Sequence, residues 1–165
     1  MNFRLVKLTR FSGEEANIYS VFLIDKQKTL FDLFIDENKI SFISELKDIF
    51  TRLIVIGNKT GARINYFAEF EGIPGDGICA LFDTPDKMLR LYCIKYGTSI
   101  VILGGGGHKP KSVRAFQEVK KLEDENYLLR EIADAINKRI RDKEIFYTED
   151  YQDIDGNFEF YEDEE

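Results

Sequence analysis

The residues best equipped for chemistry lie together at 104–114. Gly104 to Gly107 are followed by His108, Lys109, Pro110, Lys111, Ser112 and Arg114. An apolar run, a glycine stretch, a lysine and then a segment with helical spacing is the outline of a phosphate cradle. The spacing argues against a nucleotide loop. A P-loop needs Lys directly after Gly and a hydroxyl directly after Lys. Here His108 intervenes, and Pro110 follows Lys109 with no N–H to offer. GxGxxG loops belong to parallel strand–helix–strand units, whereas the run before these glycines reads as one strand of an antiparallel meander. The plain structural reading of the glycines is a turning connection, since Gly reaches positive φ without strain. His108 is the only imidazole in the chain, and imidazoles as a class move protons near neutral pH.

A second set of candidates comes from "LRLYCIKYG". At a period of two, Arg90, Tyr92, Ile94 and Tyr96 share one face of a strand, and Leu89, Leu91, Cys93 and Lys95 share the other. One face is thus expected to carry a guanidinium beside two phenols. Cationic side chains neutralise phosphates and aromatic rings stack on unpaired bases. An RNA-contacting surface of Arg90, Tyr92, Lys95, Tyr96, Lys109, Lys111 and Arg114 is therefore chemically reasonable. The alternative is that these charges only keep a sheet edge soluble.

The elements that must position these residues follow from periodicity. "FRLVKLTRF" and "IYSVFLID" read as a strand hairpin across the polar "SGEEAN". "KTLFDLFIDEN" reads as a short helix. "SFISELKDIFTRLIVIG" reads as a longer one, with Phe42, Leu46, Ile49 and Leu53 in phase and Gly57 as its stop. "ICALFD", "MLRLYCIKYG" and "SIVILG" form a three-stranded meander with short separators. Helical spacing resumes through Val113, Phe116 and Val119, then Leu128, Leu129, Ile132, Ile136 and Ile140. Glu123 to Glu125 either separate two helices or lie inside one. The expected class is α+β: a small antiparallel sheet, made of the hairpin and the meander, flanked by helices. A chain of 165 residues suits a single core, with residues 1–143 as one domain and 144–165 as an acidic, aromatic tail.

Charge is unevenly distributed. The net charge is −7, yet residues 144–165 hold ten acids and no base, so the rest is about +3. Residues 87–121 hold eight Lys or Arg and one acid, Glu118. Six aromatics interleave with the acids of the tail. Two arrangements fit: a tail folded onto the basic sheet face in imitation of RNA, or an extra strand strapped to the core. Cys79 and Cys93 sit in apolar strand segments and read as buried thiols, with a bridge open to them only if the two segments pair. One His and no CxxC leave no Cys/His zinc pattern, and no cofactor or metal is expected. No run approaches the ~20 apolar residues of a membrane span, and the N-terminus lacks a signal-peptide pattern, so a cytoplasmic protein is expected.

The segment "LFDTPDKMLRLYCIKYGTSIVILGGGGHKPK", preceded by a helix and followed by helices, resembles the RelE/HigB superfamily of toxin–antitoxin toxins over roughly residues 40–120. The "LRLY" strand, the "IVIL" strand and the glycine-and-lysine exit "GGGGHK" carry the resemblance. It implies a ribosome-associated mRNA endoribonuclease that works without a metal and is silenced by an antitoxin protein. By that resemblance Arg90 would stabilise phosphorane charge, Lys109 would be the lysine after the last strand, and His108 would supply acid or base. Tyr92 or Tyr96 would stack on a base. A catalytically inactive protein-binding module of the same fold is the alternative. The sequence departs from the family in its acidic tail and in a first meander strand, "GICALFD", without a basic residue.

Overall fold

The computed structural model describes residues 1–68, 77–82, 84–110 and 116–162. Strands β1 (Phe3–Lys7) and β2 (Asn17–Leu23) form the expected hairpin. β3 (Lys28–Thr29) turns back along β2 and leads into α1 (Leu30–Asn38) and α2 (Ile43–Val55). Thr29 caps α1, its hydroxyl oxygen accepting the Asp32 N–H at 2.9 Å. In α2 the in-phase Leu46, Ile49 and Leu53 are buried. The helix does not stop at Gly57: a π-turn carries it through Ile56–Thr60, and Gly61 ends it at φ 72°.

The meander is present as expected. β5 (Ile78–Leu81), β6 (Leu89–Tyr96) and β7 (Ile100–His108) pair antiparallel in chain order, and the short β4 (Phe67–Ala68) adds to β5. Hairpin and meander join through one parallel pairing, β2 with β7, with Asn17–Ser20 opposite Ile100–Leu103. Buried Ser20 secures this seam, its hydroxyl donating to the Leu103 carbonyl at 2.8 Å and accepting the Phe31 N–H at 3.3 Å. With a C-terminal strand β10 (Glu159–Phe160) on its outer edge, the result is a single, mostly antiparallel sheet in the order β10-β1-β2-β7-β6-β5-β4, larger than the small antiparallel sheet expected.

Helices cover both faces. α1 and α2 pack over one, burying Phe31, Phe34, Leu46 and Leu53 against Leu91, Cys93, Val101 and Leu103. α3 (Phe116–Arg141) packs over the other, burying Leu122, Leu129, Ile132 and Ile136 against Tyr92, Ile94 and Ile102. α3 runs unbroken through Glu123–Glu125. It contains no Gly or Pro, has Glu118 in its first turn, and places Lys138, Arg139 and Arg141 in its last, matching the helix dipole.

The glycine run is not a turning connection. Gly104–Gly107 lie inside β7 and are buried. Leu91 stands opposite Gly106 but Cys93 opposite Leu103, so β7 bulges by one residue at Gly104–Gly105. A Cβ on Gly104 would sit 2.8 Å from Leu129, one on Gly107 3.2 Å from Lys121, and one on Gly105 would overlap the Glu125 carboxylate. Lys121, Glu125 and Leu129 are spaced by four, so one ridge of α3 lies directly on the glycines. Gly106 faces the other way, and its Cβ would overlap the Arg90 carbonyl oxygen.

The acidic tail takes the strap arrangement and lies away from the basic strand. β8 (Ile145–Tyr147) and β9 (Ile154–Gly156) form a hairpin whose Ile145 and Ile154 join the core on the α3 side. β10 (Glu159–Phe160) pairs with β1, at the sheet edge four strands from β6. Phe160 stacks on Phe3 at 4.4 Å, with the Arg139 guanidinium 3.7 Å over its ring. Asp153 accepts from the Tyr19 hydroxyl and pairs with Lys7. Burial, and then this hydrogen bond, hold the Tyr19 phenol well above its ordinary pKa. Cys79 and Cys93 stand directly opposite each other, buried and not bridged. Burial and a hydrogen bond with Cys79 push the Cys93 thiol up.

Three changes test these contacts. Gly106→Ala forces backbone against backbone and is expected to cost about 2–4 kcal/mol by urea unfolding. Gly97→Ala, at φ 59° with open space around the new methyl, is expected to cost only the ~1–2 kcal/mol of a left-handed residue. Truncation at residue 143 removes buried Ile145, Ile154 and Phe160 and is expected to lower stability by at least about 3 kcal/mol, with a clear drop in melting temperature.

Candidate functional site

Strand alternation sorts the candidate residues. Arg90 and Tyr92 point to the α3 face, as their spacing requires, while Leu89 and Leu91 point to the α1/α2 face. The Arg/Tyr face is nevertheless covered. Tyr92 is 3% exposed and cannot stack on a base from solvent. The Tyr96 hydroxyl donates to Asn137 Oδ1 at 2.6 Å, fastening α3 to β6. Lys95 lies on the opposite face, its ammonium 5.7 Å over the Phe67 ring. It is five residues along β6 from Arg90, about 17 Å away along the strand.

The three residues assigned to catalysis by resemblance are not brought together. Arg90 stands opposite Gly107, and Leu89 opposite His108. Arg90 faces α3, whereas the His108 ring leans on Phe42 of the α1–α2 connection at 4.9 Å. Lys109 follows β7, its N–H donating to Met88 O and its ammonium to Thr84 O, both at 2.8 Å. Lys111 and Arg114 lie outside the described residues.

Two hollows flank α3. The first, about 300 Å³, opens on the β6 side between the strand and the helix. Arg90 and Tyr92 line it from β6, and Glu123, Asn126, Tyr127 and Arg130 from α3. Arg90 and Arg130 thus share the lining of one opening, beside the Glu123 carboxylate. Tyr127 is 58% exposed at its rim, with the Arg130 guanidinium 5.7 Å over its ring. Cations, an exposed ring and a side-chain amide can hold a phosphate, a base face and a base edge respectively. Helical periodicity marks only the apolar face of α3, which does not point to these contributors. The available signal was Asn126, Tyr127 and Arg130 clustered on its polar side.

The second hollow, about 340 Å³, opens on the other flank, where β7 runs beyond its pairing with β2. Glu37, Asn38 and Phe42 line it from the α1 end, Gly107 and His108 from β7, and Gln117, Glu118 and Lys121 from α3. His108 Nε2 is buried there without a hydrogen-bond partner. The Lys121 ammonium is held by Glu125 at 2.5 Å and Glu37 at 3.0 Å. Burial alone would lower the Lys121 pKa, but the hydrogen bonds it donates to Glu125 and Glu37 outweigh it and leave the pKa raised. Among the described residues no group of three His, Cys, Asp or Glu is placed to hold a metal ion, and no helix is long and apolar enough to cross a membrane. Comparison with protein-family models, characterised proteins and solved structures finds no match to the chain.

The raised Lys121 pKa sets a pH dependence. A group whose folded pKa lies above its unfolded value adds stability below the unfolded value, about 10.4 for Lys, and loses it as pH rises through the folded one. Lys121→Met is therefore expected to be less stable than the wild type at pH 8, by chemical denaturation. The gap should narrow once pH exceeds about 10.4.

Proposed function

We propose that this chain is an RNA-binding relative of the RelE/HigB-like toxins, which grips single-stranded RNA on the β6 flank of α3. The observation that carries the reading is the presence of Arg90 and Arg130, from a strand and a helix, in the lining of one open hollow rimmed by an exposed Tyr127. Unpaired RNA presents a backbone phosphate and a free base face within a few ångströms of each other. The guanidiniums suit the phosphate and Tyr127 suits the base. In this reading Arg90 is an RNA contact rather than one member of a catalytic cluster with His108 and Lys109. Their separation across the sheet favours binding over cleavage, because general acid–base chemistry needs donor and acceptor within hydrogen-bond reach of one phosphate. The setting is a toxin–antitoxin pair acting at the ribosome or on mRNA in the cytoplasm, with an antitoxin protein as partner. The second reading, a protein-binding module of the same fold, draws on Ile40, Ile43 and Ile54, exposed at 88%, 45% and 46% in and just before α2.

Fluorescence anisotropy with a labelled single-stranded RNA decides between them. Arg90→Ala and Arg130→Ala are each expected to weaken binding about tenfold and to flatten the log affinity against log salt slope by about 0.7 per lost phosphate contact. Tyr127→Ala should weaken binding while leaving the salt slope unchanged. Induced expression should arrest translation in the wild type and not in Arg90→Ala. Affinities indifferent to all three substitutions rule the site out and leave the protein-binding module.

A further inference from the structure

Cys79 and Cys93 are the only two thiols in the chain, and neither lines the hollows beside α3. They come from neighbouring strands and stand opposite each other in the β5–β6 register. Two residues further along, the Lys95 N–H donates to the Gly77 carbonyl at 2.9 Å. By the alternation of an antiparallel ladder, Cys79 and Cys93 therefore form a hydrogen-bonded pair, with Cα atoms about 5.5 Å apart. A disulfide spans Cα separations of roughly 4.4–6.8 Å. Both side chains leave the sheet on the same face and enter the apolar layer beneath α1 and α2. There the two thiols hydrogen-bond to each other, so the sulfurs are already in contact. With no third cysteine, only one connectivity exists within a chain. Cys79 is the outer thiol, 5% exposed against 0% for Cys93.

We propose that Cys79 and Cys93 form a redox switch, in which hydrogen peroxide joins them in a cross-strand disulfide that clamps β5 to β6. Cys79 Sγ attacks one peroxide oxygen, the O–O bond breaks, and a first water leaves with the thiol proton. Cys93 Sγ then attacks the sulfur of the Cys79 sulfenic acid. The S–O bond breaks, the S–S bond forms, and a second water leaves with the Cys93 proton. One peroxide is reduced to two waters while two thiols become one disulfide. A dithiol reductant, oxidised to its own disulfide, restores the pair. The bridge closes a ring of chain that contains the β5–β6 connection. In that connection the Thr84 carbonyl accepts from the Lys109 ammonium, and the Met88 and Leu89 N–H groups donate to the Glu45 carboxylate. Ring closure restricts the unfolded chain and keeps β5 from parting from β6. The switch lies on the opposite face of β6 from Tyr92 and stands whether or not RNA binds there.

The reduced full chain is treated with hydrogen peroxide at neutral pH, and one half is then reduced with dithiothreitol. The expected product is a monomer lighter by two hydrogens, with no thiol left to titrate in denaturant. Peptide mapping without reductant should link Cys79 to Cys93. The melting temperature should rise by about 5 °C on oxidation and fall back on reduction. Two variants check the order of attack. Cys93→Ala should accumulate a Cys79 sulfenic acid that dimedone traps, whereas Cys79→Ala should lose its remaining thiol more slowly by about tenfold. The wild-type mapping stands even where a variant fails to fold. Two thiols surviving a peroxide dose that consumes glutathione overturn the proposal. So do a dimer linked between chains, sulfinic acid in place of the bridge, a bridged chain that melts no higher than the reduced one, or equal thiol loss in the two variants.

Discussion

The close seating of α3 on β7 is the contact on which the rest of the structure depends. A helix normally stands about 10 Å off a sheet, because side chains from both layers fill the gap. Here the strand contributes almost nothing to that gap. Gly104, Gly105 and Gly107 offer only backbone, so Leu129, Glu125 and Lys121 descend onto the strand itself. The bulge at Gly104–Gly105 lets both glycines face the helix in succession. This contact sets the height and direction of a helix about 39 Å long. The two hollows lie on either flank of this contact.

Strand parity then distributes the chemically capable residues. Arg90 and His108 lie one register step apart on neighbouring strands, close in the plane of the sheet. Their side chains leave on opposite faces, because Arg90 opposes Gly107 and not His108. Helix α3 covers Tyr92 and engages Tyr96, so the phenols that looked suited to stacking serve packing instead. The exposed ring comes from the helix, at Tyr127. The chemically capable side chains that reach solvent therefore lie on the flanks of α3, where strand and helix residues meet.

The segregation of charge has a structural use. The acidic tail closes the outer edge of the sheet by pairing β10 with β1, which removes an unpaired strand edge of the kind that invites aggregation. Its acids meet cations from the body: Asp153 meets Lys7, Glu144 meets Arg139 and Glu162 meets the N-terminal amine. The exposed members of these pairs contribute little individually. The buried Ile145, Ile154 and Phe160 supply most of the attachment. The strap lies at the β1 edge, four strands from the β6 strand that carries Arg90.

Local pattern was enough to read the hairpin, the three-stranded meander, α1, α2 and the two-sided character of β6. Each rests on a period of 2 or 3.6 that a few consecutive residues carry. The sequence by itself also determined the partition of charge and the pairing of an apolar strand with a glycine run. What those glycines do was decided only in three dimensions. Gly is compatible with a loop and with the floor beneath a helix, and the choice depends on a partner 14 to 25 residues away. The same holds for the parallel β2–β7 seam, for burial of the Arg90/Tyr92 face, and for the meeting of Glu37, His108 and Glu118. Each is a long-range contact between elements whose own periodicity is indifferent to the neighbour they acquire. The residue types that could do chemistry were legible in the chain. Which of them share a hollow depended on strand parity and on how closely one helix could approach one strand.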